Sequence, residues 1–138
     1  MDLYFSCSLT GGRQDQPVYA ELVAHLQRLG HRVLTEHLAS PVVMAEDATL
    51  LPEAVFERDT AWLRACDAVI AEVSTPSHGV GFEVAYAMER GKPVLCLARE
   101  GLRVSKMLTG IRHQDFLFRW YATQEEALAH TEAFLARY

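Results

Sequence analysis

Five short apolar runs punctuate the chain: DLYFSC at 2–7, RVLT at 32–35, DAVIAEV at 67–73, PVLCLA at 93–98 and DFLFRWY at 115–121. Amphipathic helical patterns fill the gaps between them. Val18, Leu22, Leu26 and Leu29 recur at helical spacing between Pro17 and Gly30, the residue types that open and close a helix. Pro52 to Cys66 repeats the pattern, and another helix fits 79–90 before Gly91. Residues 101–112 read as irregular or as a short helix, and Thr123 with Glu126 forms a capping box for a last helix. Strands this apolar, joined by helical crossovers, demand a parallel sheet covered on both faces. The expected fold is therefore α/β: a doubly wound, five-stranded, flavodoxin-like or Rossmann-like parallel sheet of order 2-1-3-4-5. No repeat or linker interrupts it, so residues 1–138 are expected to form one domain.

This topology directs attention to two loops. Ligands of open parallel sheets sit beyond the carboxyl ends of the strands, where the strand order reverses. Between strands one and three that rule selects 8–16 and 74–82, both rich in Gly and Ser. The connection at 36–51 has no clear period, and long connections often form walls or lids of sites.

In the first loop, SLTGGR, glycines let backbone amides converge on an anion, Ser8 and Thr10 add hydroxyls, and Arg13 adds a charge. The same residues also make an ordinary strand-to-helix turn. The GK[ST] ending of a Walker loop and the GxGxxG of a dinucleotide fingerprint are both missing. In the second loop, SHGVGFE, Ser77 suits a helix cap, and Gly79 and Gly81 permit close approach of a ligand. Glu83 is either a charge matched to the helix dipole or part of a site. Asp59 shares a helix face with residues 52, 55, 56, 62, 63 and 66, all apolar. A carboxylate there needs a partner such as an arginine, or else serves as an acid of raised pKa. Tyr4 reads as core with a hydroxyl that a carboxylate could satisfy. His37 is either a surface residue or a ligand contact.

The formal charge of −5 and the lack of a Lys/Arg cluster argue against nucleic acid or an anionic membrane as partner. Cys7, Cys66 and Cys96 show no ligand spacing and read as core thiols; the His residues show no metal spacing either. No apolar run reaches membrane-spanning length, and the start MDLYFSC lacks a basic signal-like region. A cytoplasmic protein is the expectation. A phosphate cradle with two carboxylates at one crevice is the equipment for cleaving a glycosidic bond.

Six segments in order, YFSCSLTGGRQD, LTEH, ERDTAWL, DAVIAEVSTPSHGVGFEVAYA, GKPVLCL and VSKMLTG, resemble the 2′-deoxynucleoside 5′-phosphate N-hydrolase family, within the wider nucleoside 2-deoxyribosyltransferase group. The resemblance spans nearly the whole chain. It implies a homodimer without cofactor or metal that cleaves 2′-deoxynucleoside 5′-monophosphates to free base and 2-deoxyribose 5-phosphate. Glu83 would be the nucleophile that forms a glycosyl intermediate, Tyr4 would orient it, and Asp59 would assist departure of the base. Cys7, Ser8, Leu9, Thr10, Gly11, Gly12 and Arg13 would line the sugar phosphate, with Ser77 and Gly79 opposite. Ser105 would reach the phosphate in the neighbouring subunit, Met107 would lie beside the base, and His37 near its far end. Cys7 stands where relatives often carry glycine, Thr10 where several carry arginine, and His78 where an apolar residue precedes GVG. These departures leave open ribonucleotide (CMP-type) substrates, sugar transfer to a second base, and nucleotide binding without turnover.

Overall fold

A computed structural model describes residues 1–12, 14–43 and 48–138. Its sheet has five parallel strands in the order β2-β1-β3-β4-β5, as the alternating pattern requires. The strands are β1 (Asp2–Ser6), β2 (Arg32–Val33), β3 (Ala68–Glu72), β4 (Val94–Arg99) and β5 (Phe116–Tyr121). The helices are α1 (Gln16–Arg28), α2 (Pro52–Ala65), α3 (His78–Glu89), the single turn α4 (Lys106–Thr109) and α5 (Gln124–Leu135), with a 3₁₀ turn at Glu36–Ala39. The capping box forms at α5: Glu126 N–H donates to Thr123 Oγ1 at 3.3 Å, and Ala122 N–H to Glu126 Oε2 at 2.7 Å.

Period-two alternation divides the side chains of the strands between two cores. Leu3, Phe5 and Cys7 join Ile70, Leu95 and Leu97 beneath α1 and α5. Tyr4 joins Val69, Ala71, Cys96 and the inner faces of α2 and α3. Ser6 has the parity of Tyr4, so β1 sends two hydroxyls to the α2–α3 face at the sheet's carboxyl end. All three cysteines are buried, and no disulfide joins them. Among the described residues no helix is long and apolar enough to cross a membrane.

Two expectations need correction. The second strand is shorter than RVLT, because Thr35 leaves the ladder and bonds through its side chain. Its Oγ1 donates to Phe5 O at 2.6 Å and accepts from Phe5 N–H at 2.9 Å. The stripe on α2 is rotated from the expected one: Thr60 and Leu63 are its buried residues, and Phe56 lies more than half exposed. Thr60 can occupy the interior because its hydroxyl donates back to Phe56 O at 2.7 Å.

Glu72 ends β3 on the α1–α5 face, fully buried. Tyr121 Oη donates to its Oε1 at 2.9 Å, Ser74 Oγ donates to the same oxygen, and Ser74 N–H adds a contact at 3.3 Å. Ser74 Oγ also accepts from Arg99 N–H at 2.7 Å. This network fixes the point at which the second loop leaves the sheet. Burial pushes the Glu72 carboxyl above the usual range, against the pull of its hydroxyl donors. Replacing Glu72 with Ala should cost about 2–4 kcal/mol of unfolding free energy, since it strands buried hydroxyls and opens a cavity. Glu72→Gln, which keeps the shape and an acceptor, should cost less than half as much in urea denaturation.

Candidate active site

Glu83 lies in the second turn of α3, where the helix dipole has largely faded, which weakens the reading of it as a dipole-matched surface charge. Its side chain turns inward to β1. Tyr4 Oη donates to Oε1 at 2.7 Å, and Ser6 Oγ donates to Oε2. Burial raises the Glu83 carboxyl to about 7; the two hydroxyls pull it down, Ser6 more than Tyr4, and the nearby charge of Asp59 pushes it up. Burial first, and then the neighbouring Glu83 charge, drive the Tyr4 phenol far above its ordinary value. Tyr4 therefore remains a proton donor in the hydrogen bond across the whole working range.

Asp59 enters from α2. Arg58 Nε donates to its Oδ1 at 2.8 Å, so the arginine partner exists and sits beside Asp59 in sequence. The Arg58 guanidinium lies 5.0 Å from the centroid of the Trp62 ring, a cation–π contact. The other neighbour of Trp62 is His37, 5.7 Å away between ring centroids. The 3₁₀ turn thus brings His37 into the Asp59 cluster. A cavity of about 90 Å³ opens between Phe56, Asp59, Gly79, Phe82 and Glu83.

The two loops touch. Gly11 leaves no space for a side chain: an added Cβ would lie 2.3 Å from Pro76 O and 2.7 Å from Ser8 Oγ. Gly12 has φ +132°, a conformation that favours glycine. Gln14 Nε2 donates to Thr75 Oγ1 at 2.9 Å, Thr75 Oγ1 donates to Asp15 Oδ2 at 3.2 Å, and Asp15 pairs with Arg99. The starts of α1 and α3 therefore face one crevice, with Thr10, Gly11 and Gly79 exposed along it and Ser8 buried beneath. Cys7 Sγ contacts Leu38 O at 3.9 Å, which ties the loop base to the 3₁₀ turn, and Leu9 packs against the α1–α5 core. Arg13 lies outside the described residues.

Ser77 caps α3, accepting from Val80 N–H at 3.4 Å. Ser105 caps α4, accepting from Met107 N–H at 3.2 Å. Ser77, Ser105 and Met107 line a groove of about 520 Å³ between α3 and residues 103–111, which neither Glu83 nor Asp59 lines. Within one chain, then, α3 separates Ser105 and Met107 from the carboxylates. Glu83, Tyr4 and Asp59 come together in one cluster, to which His37 connects through the Trp62 ring.

Ser6, Arg58, Trp62 and the Gln14–Thr75–Asp15–Arg99 brace were absent from the expected site. Ser6 could have been found by adding two to Tyr4 along β1, and Trp62 by adding one turn to Asp59. The brace had no local signal, because its members are distant in sequence.

An α/β sheet whose switch-point crevice holds a half-buried carboxylate, a second acid and two helix starts has the form of a small-ligand site. The nucleoside 2-deoxyribosyltransferase family model matches residues 3–119, and the chain belongs to that family. It is 41% identical over 140 residues to the 5-hydroxymethyl-dUMP N-hydrolase of Mus musculus, covering 99% of this chain and 78% of that one. It is 39% identical over 140 residues to the protein of the same name in Homo sapiens, with the same coverage. The CMP N-glycosidase of Clostridium botulinum superposes with a TM-score of 0.74 at 18% identity, over 97% of this chain and 99% of that one.

Gly11→Ala should destabilise the protein by about 1–3 kcal/mol, because the obstructing atom at Pro76 is backbone. Gly79→Ala meets only Ser77 Oγ at 3.8 Å; its melting temperature should match wild type while KM rises. Calorimetry and steady-state kinetics on the pair separate fold from site. The Glu83 carboxyl, raised on folding, stabilises fully below its unfolded value near 4.5 and loses that contribution as pH rises through about 7. Glu83→Gln should therefore gain up to about 3 kcal/mol over wild type at pH 8 and almost nothing at pH 4.5 in thermal denaturation.

Proposed function

We propose that the protein is an N-glycosidase that hydrolyses (2′-deoxy)nucleoside 5′-monophosphates to free base and sugar 5-phosphate. The observation that carries this reading is the Glu83 carboxylate, buried at the crevice with a hydroxyl on each oxygen and Asp59 close by. The names of the family members at about 40% identity support the same reaction class.

In this mechanism a Glu83 oxygen attacks C1′ as the C1′–N bond breaks. The bonding pair leaves with the base nitrogen, which takes up a proton that water delivers through Asp59. Arg58 occupies Oδ1 of Asp59, leaving Oδ2 for that transfer. Water then attacks C1′ of the glycosyl ester, gives its proton back to Asp59, and releases Glu83 as a carboxylate. The raised Glu83 carboxyl gives a nucleophile half ionised near neutral pH. Tyr4, which remains protonated, steadies the negative form.

The substrate's phosphate would lie on loop 8–13, between the starts of α1 and α3. Backbone amides there and the hydroxyls of Ser8, Thr10 and Ser77 suit a dianion, and Cys7 and Leu9 shape the floor. The base would extend toward Asp59 and His37. A homodimer belongs to this reading. Ser105 and Met107 are exposed, and the apolar groove they share with Ser77 is a surface on which a second copy could bring Ser105 to the phosphate. Residues 1–138 would act as one catalytic domain.

The test is product analysis with a panel of deoxynucleoside and ribonucleoside monophosphates. Free base should appear without any acceptor, and unphosphorylated nucleosides should react poorly. Release only when a second base is added would instead show a transferase, and binding without release a non-catalytic protein. Glu83→Gln should lower kcat about 10³-fold or more, and Asp59→Asn about 10²–10⁴-fold. The acidic limb of kcat/KM should rise with pH through about 7, where Glu83 ionises. A monomer in sedimentation at assay concentration would remove Ser105 from the site.

A further inference from the structure

A carboxylate held by one donor still turns about its last torsion, which is broad and roughly two-fold. Glu83 is held by two, and both come from one strand. Tyr4 and Ser6 stand two apart on β1, which lies between β2 and β3 and is paired to both. Their hydroxyls reach different oxygens of the same group. Ser6 is wholly buried. Serines in such positions commonly return the hydroxyl to nearby backbone, whereas this one bonds a side chain 77 residues away. We propose that Ser6 is a positioning residue for the reaction at Glu83, clamping the second carboxylate oxygen so that the group presents one fixed plane to the sugar carbon.

This rests on the reading of Glu83 as nucleophile. Each carboxylate oxygen has two lone pairs, so one donor per oxygen leaves a pair free for attack. When one oxygen bonds C1′, the other becomes the ester carbonyl and keeps its hydroxyl donor. In the second step that donor meets returning negative charge, a stronger hydrogen bond than to the neutral ester, and so favours departure of the carboxylate. Ser6 would thus act in both halves of the cycle. Among the described residues, the titratable and charged groups around Glu83 are Tyr4 from β1 and Asp59 with its Arg58 partner from α2. They are common to wild type and a Ser6 variant, so the comparison isolates the hydroxyl.

The experiment pairs a ¹³C NMR titration of the Glu83 carboxyl with the pH profile of kcat/KM on a deoxynucleoside monophosphate. In Ser6→Ala the titration midpoint should rise by about one pH unit, and the acidic limb should move with it. Activity should fall at every pH, because the carboxylate plane is no longer fixed, and about tenfold further at pH 6 than at pH 9. Ser6→Cys, close in size with a weaker donor, should fall between. An unmoved midpoint in Ser6→Ala, or full wild-type rate at pH 9, would overturn the proposal. A midpoint shifted in Ser6→Ala, when the wild type itself hydrolyses no nucleotide, would keep the clamp and overturn the reaction assigned to it.

Discussion

The strand β1 does two incompatible-looking things with five residues. Its odd positions, Leu3 and Phe5, are packed as tightly as any in the molecule, while Tyr4 and Ser6 carry hydroxyls into the other layer. Those hydroxyls are tolerable in the interior only because a carboxylate descends from α3 to meet them. The carboxylate is tolerable there only because the hydroxyls wait for it, and even so burial holds it near 7. Removing either partner leaves the other unsatisfied. The position of α3 over the sheet, and with it the second loop, is tied to this exchange.

The loops are held by a separate set of bonds. Glu72, Ser74 and Tyr121 pin the exit of β3, while Thr75 links through Asp15 to Arg99 at the end of β4. Gly11 then lies directly against Pro76 O. The crevice is thus assembled from strand ends, and its exposed rim includes the small residues Thr10, Gly11 and Gly79. Such an arrangement suits an anion whose binding must be settled before any bond is broken.

Much of this was legible in the sequence. The strand order followed from apolar runs alternating with helical periods, and the switch-point rule then singled out both loops. The family resemblance paired Tyr4 with Glu83, and the two touch. What could not be read depended on three-dimensional neighbours. Thr35 leaves the β2 ladder because its hydroxyl can bond Phe5, which propensity does not show. Phe56 is exposed because α2 turns Thr60 inward, a choice made by the surface it packs on. Asp15 and Arg99 lie 84 positions apart, and only the crossover of the sheet unites them. Ser105 and Met107 stand away from the carboxylates in a single chain, so their assignment belongs to the proposal of a dimer.

The division of labour across the crevice has a consequence for how such a protein could change its substrate. The groups proposed for the sugar chemistry hang from β1 and α3, whereas Arg58, Asp59 and Trp62 occupy one turn of α2, with His37 against them. Half of that helix faces solvent. Substitutions along its inner edge could remodel the space beside Asp59 while Glu83 and its hydroxyls stay where they are. One helix can drift, in this sense, over an anchored reaction, and a lineage could explore new bases without first losing its ability to cleave the bond.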